Sequence, residues 1–141
     1  MNALSLISRD DPLKLLRILS LIIGILHPGD LLRAEDLKPR ILDSNGQVKH
    51  LSRETVREIF FMRLNSWPDG SPIRVFVLPD NDPLHIQFAK EVLGVYPFQL
   101  RSAWDRLVYS GTGVAPTTVE TTEEMQERIR STQGSIGYIG Q

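Results

Sequence analysis

Cysteine is absent from the 141 residues, which removes disulfide frameworks, thiol catalysis and cysteine-ligated zinc from consideration. Charge of one sign is not in excess either. Sixteen Lys and Arg against 17 Asp and Glu leave a formal net charge of −1, so no basic surplus marks a nucleic-acid binder. Long apolar runs are missing: "ILSLIIGIL", Ile18 to Leu26, is nine residues long, well under the roughly 20 needed to span a bilayer. Histidine is sparse, and His27, His50 and His85 lie far apart. Neither G-x-S-x-G nor H-E-x-x-H occurs, so no catalytic constellation is legible. These absences lead to the expectation of a chain that is not an enzyme and carries no cofactor.

The N-terminus has a pattern of its own. Lys14 and Arg17 precede the apolar run, Pro28 and Gly29 break it, and Ala34 follows. A basic flank, a short apolar core and a small residue near its end make a secretory signal pattern. The expectation is a signal peptide over residues 1–34, cut after Ala34, and a single lobe over residues 35–141 in the periplasm. The alternative is an amphipathic helix belonging to the folded domain.

Beyond Ala34 the order is α/β. "PRILDSNGQVKHL" holds two extended pieces around Asn45-Gly46, a strong turn dipeptide. Ser52 reads as a helix N-cap, with Leu51 and Val56 placed for a hydrophobic staple. Val56, Ile59, Phe60 and Leu64 recur at helical spacing, and "WPDG" (Trp67 to Gly70) reads as the turn that ends the helix. Trp67 is expected to anchor that corner by packing on the apolar helix face. "IRVFVL" reads as a strand covered on both faces. A helix capped by Asp82, with Pro83 at its first position, carries the stripe Leu84, Phe88, Val92 and Leu93 and stops at Gly94. Pro97 opens a further helix with Leu100, Ala103, Trp104, Leu107 and Val108 inward. Thr121 and Glu124 have capping-box spacing before a helix with Met125 and Ile129 inward, and "GSIGYIG" closes the chain as a strand. The pattern predicts an α/β fold, a small three-layer sandwich of about four strands and four helices.

Two loops are candidate sites. "LPDNDPLHIQF", Leu78 to Phe88, takes a strand into a helix at the place where many α/β proteins hold an anion. A helix start offers unpaired N–H groups, but Asp82 would present its own carboxylate to them. On this reading the loop is a capped helix start, and His85 an exposed bystander. Asp80, Asn81, Asp82 and His85 lack the glycine and the distant glutamate of a calcium loop, so no metal is expected. The second loop, Ser110, Gly111, Thr112 and Gly113, lacks the lysine and the length of a phosphate-binding P-loop. Its hydroxyls would serve an anion only if it lay near Asp82.

"LSRETVREIFFMRLNSWPDGSPIRVFVL" and "GSIGYIG" together resemble phosphate-transporter substrate-binding proteins, over Leu51 to Gly140. That family has a helix ending in isoleucine-phenylalanine, a tryptophan turn, a valine-rich strand and a return strand with isoleucine-glycine-tyrosine. The resemblance implies one lobe of a type II periplasmic binding protein, secreted and linked to an ABC transporter. In the family the loop after the valine strand carries serine-glycine-threonine-arginine, which hold phosphate. Here the matching places are Asp82, Pro83, Leu84 and His85, so two hydroxyls, a glycine and a guanidinium are gone. The family closes two lobes on its ligand, and only the second is expected here. Two functions therefore stand open. One is binding of phosphate or another small oxyanion, for transport or sensing. The other is a ligand-free interaction module that docks on a membrane transporter or sensor. No nucleic acid is expected in either.

Overall fold

A computed structural model describes residues 39–141; the leader read over residues 1–34 lies outside the described residues. Strand β1 (Arg40–Asp43) leads into a tight turn at Asn45-Gly46. Asp43 makes this turn: its carboxylate accepts from the N–H groups of Asn45 at 2.9 Å and Gln47 at 3.2 Å, an Asx turn. Gly46 takes φ +70°, and the chain returns to bridge Val48 to Leu42.

Helix α1 (Arg53–Phe60) starts where the Ser52 hydroxyl accepts from Thr55 N–H at 3.1 Å. Val56, Ile59 and Phe60 are buried, and Leu51 packs against the same core. The helix ends earlier than the spacing predicts. Met62 adopts φ +60°, and Leu64 lies beyond the last turn, exposed. The Trp67 turn is present, closed by Gly70 N–H to Trp67 O at 2.8 Å. Its indole is half-buried and packs against the core, and its Nε1 donates to Gly134 O at 2.9 Å. Lys49 lies over the ring at 4.1 Å. Trp67 therefore ties the turn to the start of the last strand.

Strand β2 (Arg74–Val77) runs into α2 (Pro83–Gln87). The sequence stripe predicts one continuous α-helix here, but Phe88–Leu93 forms a π-helical turn before Gly94 stops it at φ +70°. Helix α3 (Pro97–Tyr109), strand β3 (Thr117–Thr118), helix α4 (Thr122–Ser131) and strand β4 (Ser135–Ile139) complete the chain. Val108, read as inward, is exposed: it continues the face of Leu100 and Trp104, but near the end of α3 that face is no longer covered.

The sheet order is β1-β4-β2-β3. β4 is antiparallel to β1 and parallel to β2, and β2 is parallel to β3. Alternation along β4 sets the layers. Gly137 faces α4: a Cβ there would lie 2.5 Å from Met125 Sδ and 2.6 Å from Ile129 Cδ1. Tyr138 faces the other way, stacked on Phe88 at 4.0 Å and 6.0 Å from Phe60. One helix thus covers one face, while α1, α2, the π-turn and α3 cover the other. Among the described residues the architecture is mixed α/β with four strands and four α-helices. Among the described residues no helix is long and apolar enough to cross a membrane.

The contact at Gly137 yields a stability test. Gly137→Ala overpacks the α4 face and is expected to cost about 1–3 kcal/mol. Combined with Met125→Ala it should be strongly non-additive, with a coupling of at least about 0.5 kcal/mol in urea unfolding. Additive losses would mean that the strand and helix do not meet there.

Candidate functional site

The carboxyl end of β2 is where the sequence places its first candidate loop. Pro79 O accepts from Asp82 N–H at 2.9 Å, closing a turn that sets Asp82 at the helix start. The Asp82 carboxylate accepts from Leu84 N–H at 2.8 Å and His85 N–H at 3.2 Å. Those are the donors an external anion would need, and they are taken. Pro83 has no N–H to offer, and the Leu84 side chain is buried in the core. Asp80 adds a second carboxylate, gripped by Arg101 from α3 through Nη2 at 2.8 Å and Nε at 3.1 Å. This is a bidentate pair, the strong geometry for guanidinium and carboxylate.

His85 overturns its reading as an exposed bystander: it is fully buried. With Phe88 and Val92 it follows i, i+3, i+7 spacing, and that face turns inward. Its Nδ1 is hydrogen-bonded to the Tyr138 hydroxyl, which also accepts from Leu78 N–H at 2.9 Å. A phenol oxygen that already accepts one bond still has its proton to give. Giving it to Nδ1 leaves the ring's own proton on Nε2, which faces Asp80 Oδ1 at 3.7 Å and has no hydrogen-bond partner. Burial is the largest influence on His85 and lowers its pKa. Asp80 raises it, Arg101 lowers it and Asp82 raises it, and the balance lies below the ordinary value of 6.5. Burial also pushes the Tyr138 phenol far upward, so it stays protonated.

Asp80, His85 and Tyr138 thus line up as a carboxylate, an imidazole and a phenol. The order looks like a proton relay, but a relay needs an open end. His85 and Tyr138 are both fully enclosed, so neither group opens onto the surface. The arrangement locks α2 to β2 and β4. Among the described residues no three His, Asp or Glu side chains converge as metal ligands would.

The second loop is elsewhere. Arg101 marks the Asp80 end of α3, and Ser110 lies nine residues farther along, roughly 13 Å at 1.5 Å per residue. The Ser110–Thr112 hydroxyls cannot join Asp82. They are also engaged locally: Ser110 Oγ lies 2.7 Å from Thr112 Oγ1 and donates to Leu107 O at 3.1 Å. Gly111 and Thr112 instead line the rim of a groove of about 750 Å3 at the opposite, amino end of β2.

The sequence matches no protein-family model, no curated protein and no solved structure. Arg101 and Tyr138 are the site residues that sequence reasoning missed. A tyrosine inside an apolar strand needs a partner for its hydroxyl, and that was the available signal. Arg101 carried none, since its partner lies 21 residues away.

Two outcomes follow. Asp82→Ala is expected to cost about 1 kcal/mol and Asp82→Ser less, because serine keeps a capping oxygen; thermal unfolding of both variants checks the order. For His85, the unfolded chain takes up a proton near 6.5 whereas the folded protein does so only at lower pH. Between those values the unfolded state holds more protons, so stability is lost as pH falls through that window. Urea midpoints at about pH 7.5 and about pH 5.5 should separate more for the wild type than for His85→Gln; equal separation would dismiss His85 as the cause.

Proposed function

We propose that this chain is an interaction module that docks on a partner protein and holds no phosphate at its β2–α2 loop. The observation that carries this reading is the self-occupied loop. Asp82 uses the Leu84 and His85 N–H groups, and Asp80 uses Arg101. An oxyanion approaching here meets two carboxylates and no released donor, which argues against phosphate or another small oxyanion at this edge.

The surface of α3 favours docking. Tyr96 and Phe98 stack at 6.1 Å with an interplanar angle of 13°, and they are 55% and 66% exposed. Tyr109, 88% exposed, follows Phe98 after 11 residues, which brings it back to the same side of the helix at 100° per residue. Aromatic side chains are the residues that interfaces use most as anchors. The resemblance to transporter-linked binding proteins supports a membrane transporter or sensor as the partner, and the signal pattern supports the periplasm as the place.

Calorimetry separates the readings. Titration with inorganic phosphate is expected to give no binding tighter than about 1 mM, a free energy of about −4 kcal/mol. Micromolar affinity abolished by Arg101→Ala would overturn the proposal. A photo-crosslinking residue at Tyr109 in intact cells should give a discrete adduct with a membrane protein, whereas one at Asp69 should not. Identical adducts from both positions would count against docking through α3.

A further inference from the structure

The groove at the amino end of β2 differs in chemistry from the loop at its other end. Two of its walls carry cations, Arg74 from β2 and Arg128 from α4, and no Asp or Glu lines it. That is a local excess in a chain whose formal charge is −1. Among the described residues neither arginine has an ion-pair partner. The Arg128 guanidinium carbon sits 5.5 Å over the Phe76 ring. A cation over an aromatic face is attracted to it and keeps its N–H donors for other partners.

The remainder of the groove is of two kinds. Ile73, Val75, Val114 and Pro116 make apolar wall, while Asn65 and Thr132 add polar groups at its margin. Val114 is 79% exposed, with no apolar neighbour covering it from outside. The volume, about 750 Å3, falls within the range of small-ligand sites, roughly 300–1,000 Å3.

We propose that this groove binds an amphiphilic organic anion, a carboxylate on an apolar body, with Arg74 and Arg128 taking the charge. The guanidinium forks match the carboxylate, and the Ile73–Val114 wall covers the body. An isolated phosphate gains only half of this, because it leaves the apolar wall wet. A neutral hydrocarbon gains the other half and leaves both cations without an anion. The proposal goes beyond the docking role of α3 and uses a different surface. The carboxylate belongs either to a free organic acid or to the C-terminal residue of another chain, and both present the same chemistry.

The test uses the full chain and the fluorescent sulfonate 8-anilinonaphthalene-1-sulfonate as reporter. Decanoate is expected to displace it at about tens of micromolar, while 1-decanol and inorganic phosphate need at least about tenfold more. The double variant R74Q/R128Q should weaken decanoate by about tenfold or more, through loss of charge-assisted hydrogen bonds. Both arginines are exposed, so its melting temperature should match that of the wild type. The Phe98→Ser/Tyr109→Ser variant should keep decanoate affinity, which separates the groove from the α3 surface. A leucine-terminated hexapeptide, as free acid and as amide, distinguishes the sources. Stronger displacement by the free acid than by decanoate assigns the anion to a protein C-terminus, and weaker displacement assigns it to a small acid. Equal binding of decanol and decanoate, or unchanged decanoate affinity in R74Q/R128Q, would overturn the proposal.

Discussion

The Tyr138 hydroxyl is the point on which this fold turns. It sits in the central part of the sheet, on β4, and makes two bonds that leave the strand: one accepted from Leu78 N–H past the end of β2 and one to His85 on α2. Its ring simultaneously stacks on Phe88, the first residue of the π-turn. Phe88 in turn meets Phe60 edge-on at 4.7 Å, and the Phe60 carbonyl accepts from Trp104 Nε1 at 2.8 Å. Sheet, α1, α2 and α3 are thereby joined through one aromatic column with a polar group at either end. A buried hydroxyl and a buried imidazole would each be costly alone. Together they satisfy the hydroxyl and Nδ1, and only His85 Nε2 is left without a hydrogen-bond partner.

That column explains what the carboxyl edge of the sheet became. In open α/β sheets this edge is the usual ligand position because helix starts leave N–H groups unpaired there. Here the donors are met from within, by Asp82, while Asp80 is met by Arg101. The cationic, acid-free groove lies at the other end of β2. The two ends of one strand therefore carry opposite chemistry.

Much of this was legible in the sequence, for local reasons. Ser52, Asp82 and Thr121 announce helix starts because capping needs only a side-chain oxygen two or three residues from an N–H. The Asn45-Gly46 turn and the Trp67 turn are equally local. Long-range partners were not legible. Nothing near Arg101 points to Asp80, and nothing near His85 points to Tyr138, 53 residues away. His85 was misread because a histidine one residue after a leucine, at a loop-to-helix junction, looks exposed. The stripe it shares with Phe88 and Val92 was the better guide. Leu64 and Val108 failed in the reverse sense: correct helical spacing says which face a residue occupies, not whether that face is covered at that height. The C-terminal helix was read more fully, since Glu124 reaches back to Glu120 N–H at 2.9 Å while Thr121 accepts from Glu124 N–H at 3.1 Å.

The π-turn at Phe88–Leu93 has its own consequence. A π-turn holds one residue more than the α-helical turn it replaces, and it releases carbonyls from their usual partners. The last two carbonyls before Gly94, unpartnered as at any helix C-terminus, are taken by a neighbouring helix: Arg53 Nε donates to Val92 O at 2.9 Å, and Arg57 Nη1 donates to Leu93 O. Gly94 follows with its missing Cβ only 3.0 Å from Arg57 Nη1. The segment thus ends against α1 rather than in solvent. Substitution of Arg53 or Arg57 would leave those terminal carbonyls without their side-chain donors, so the end of the π-turn and helix α1 are held together by two side chains.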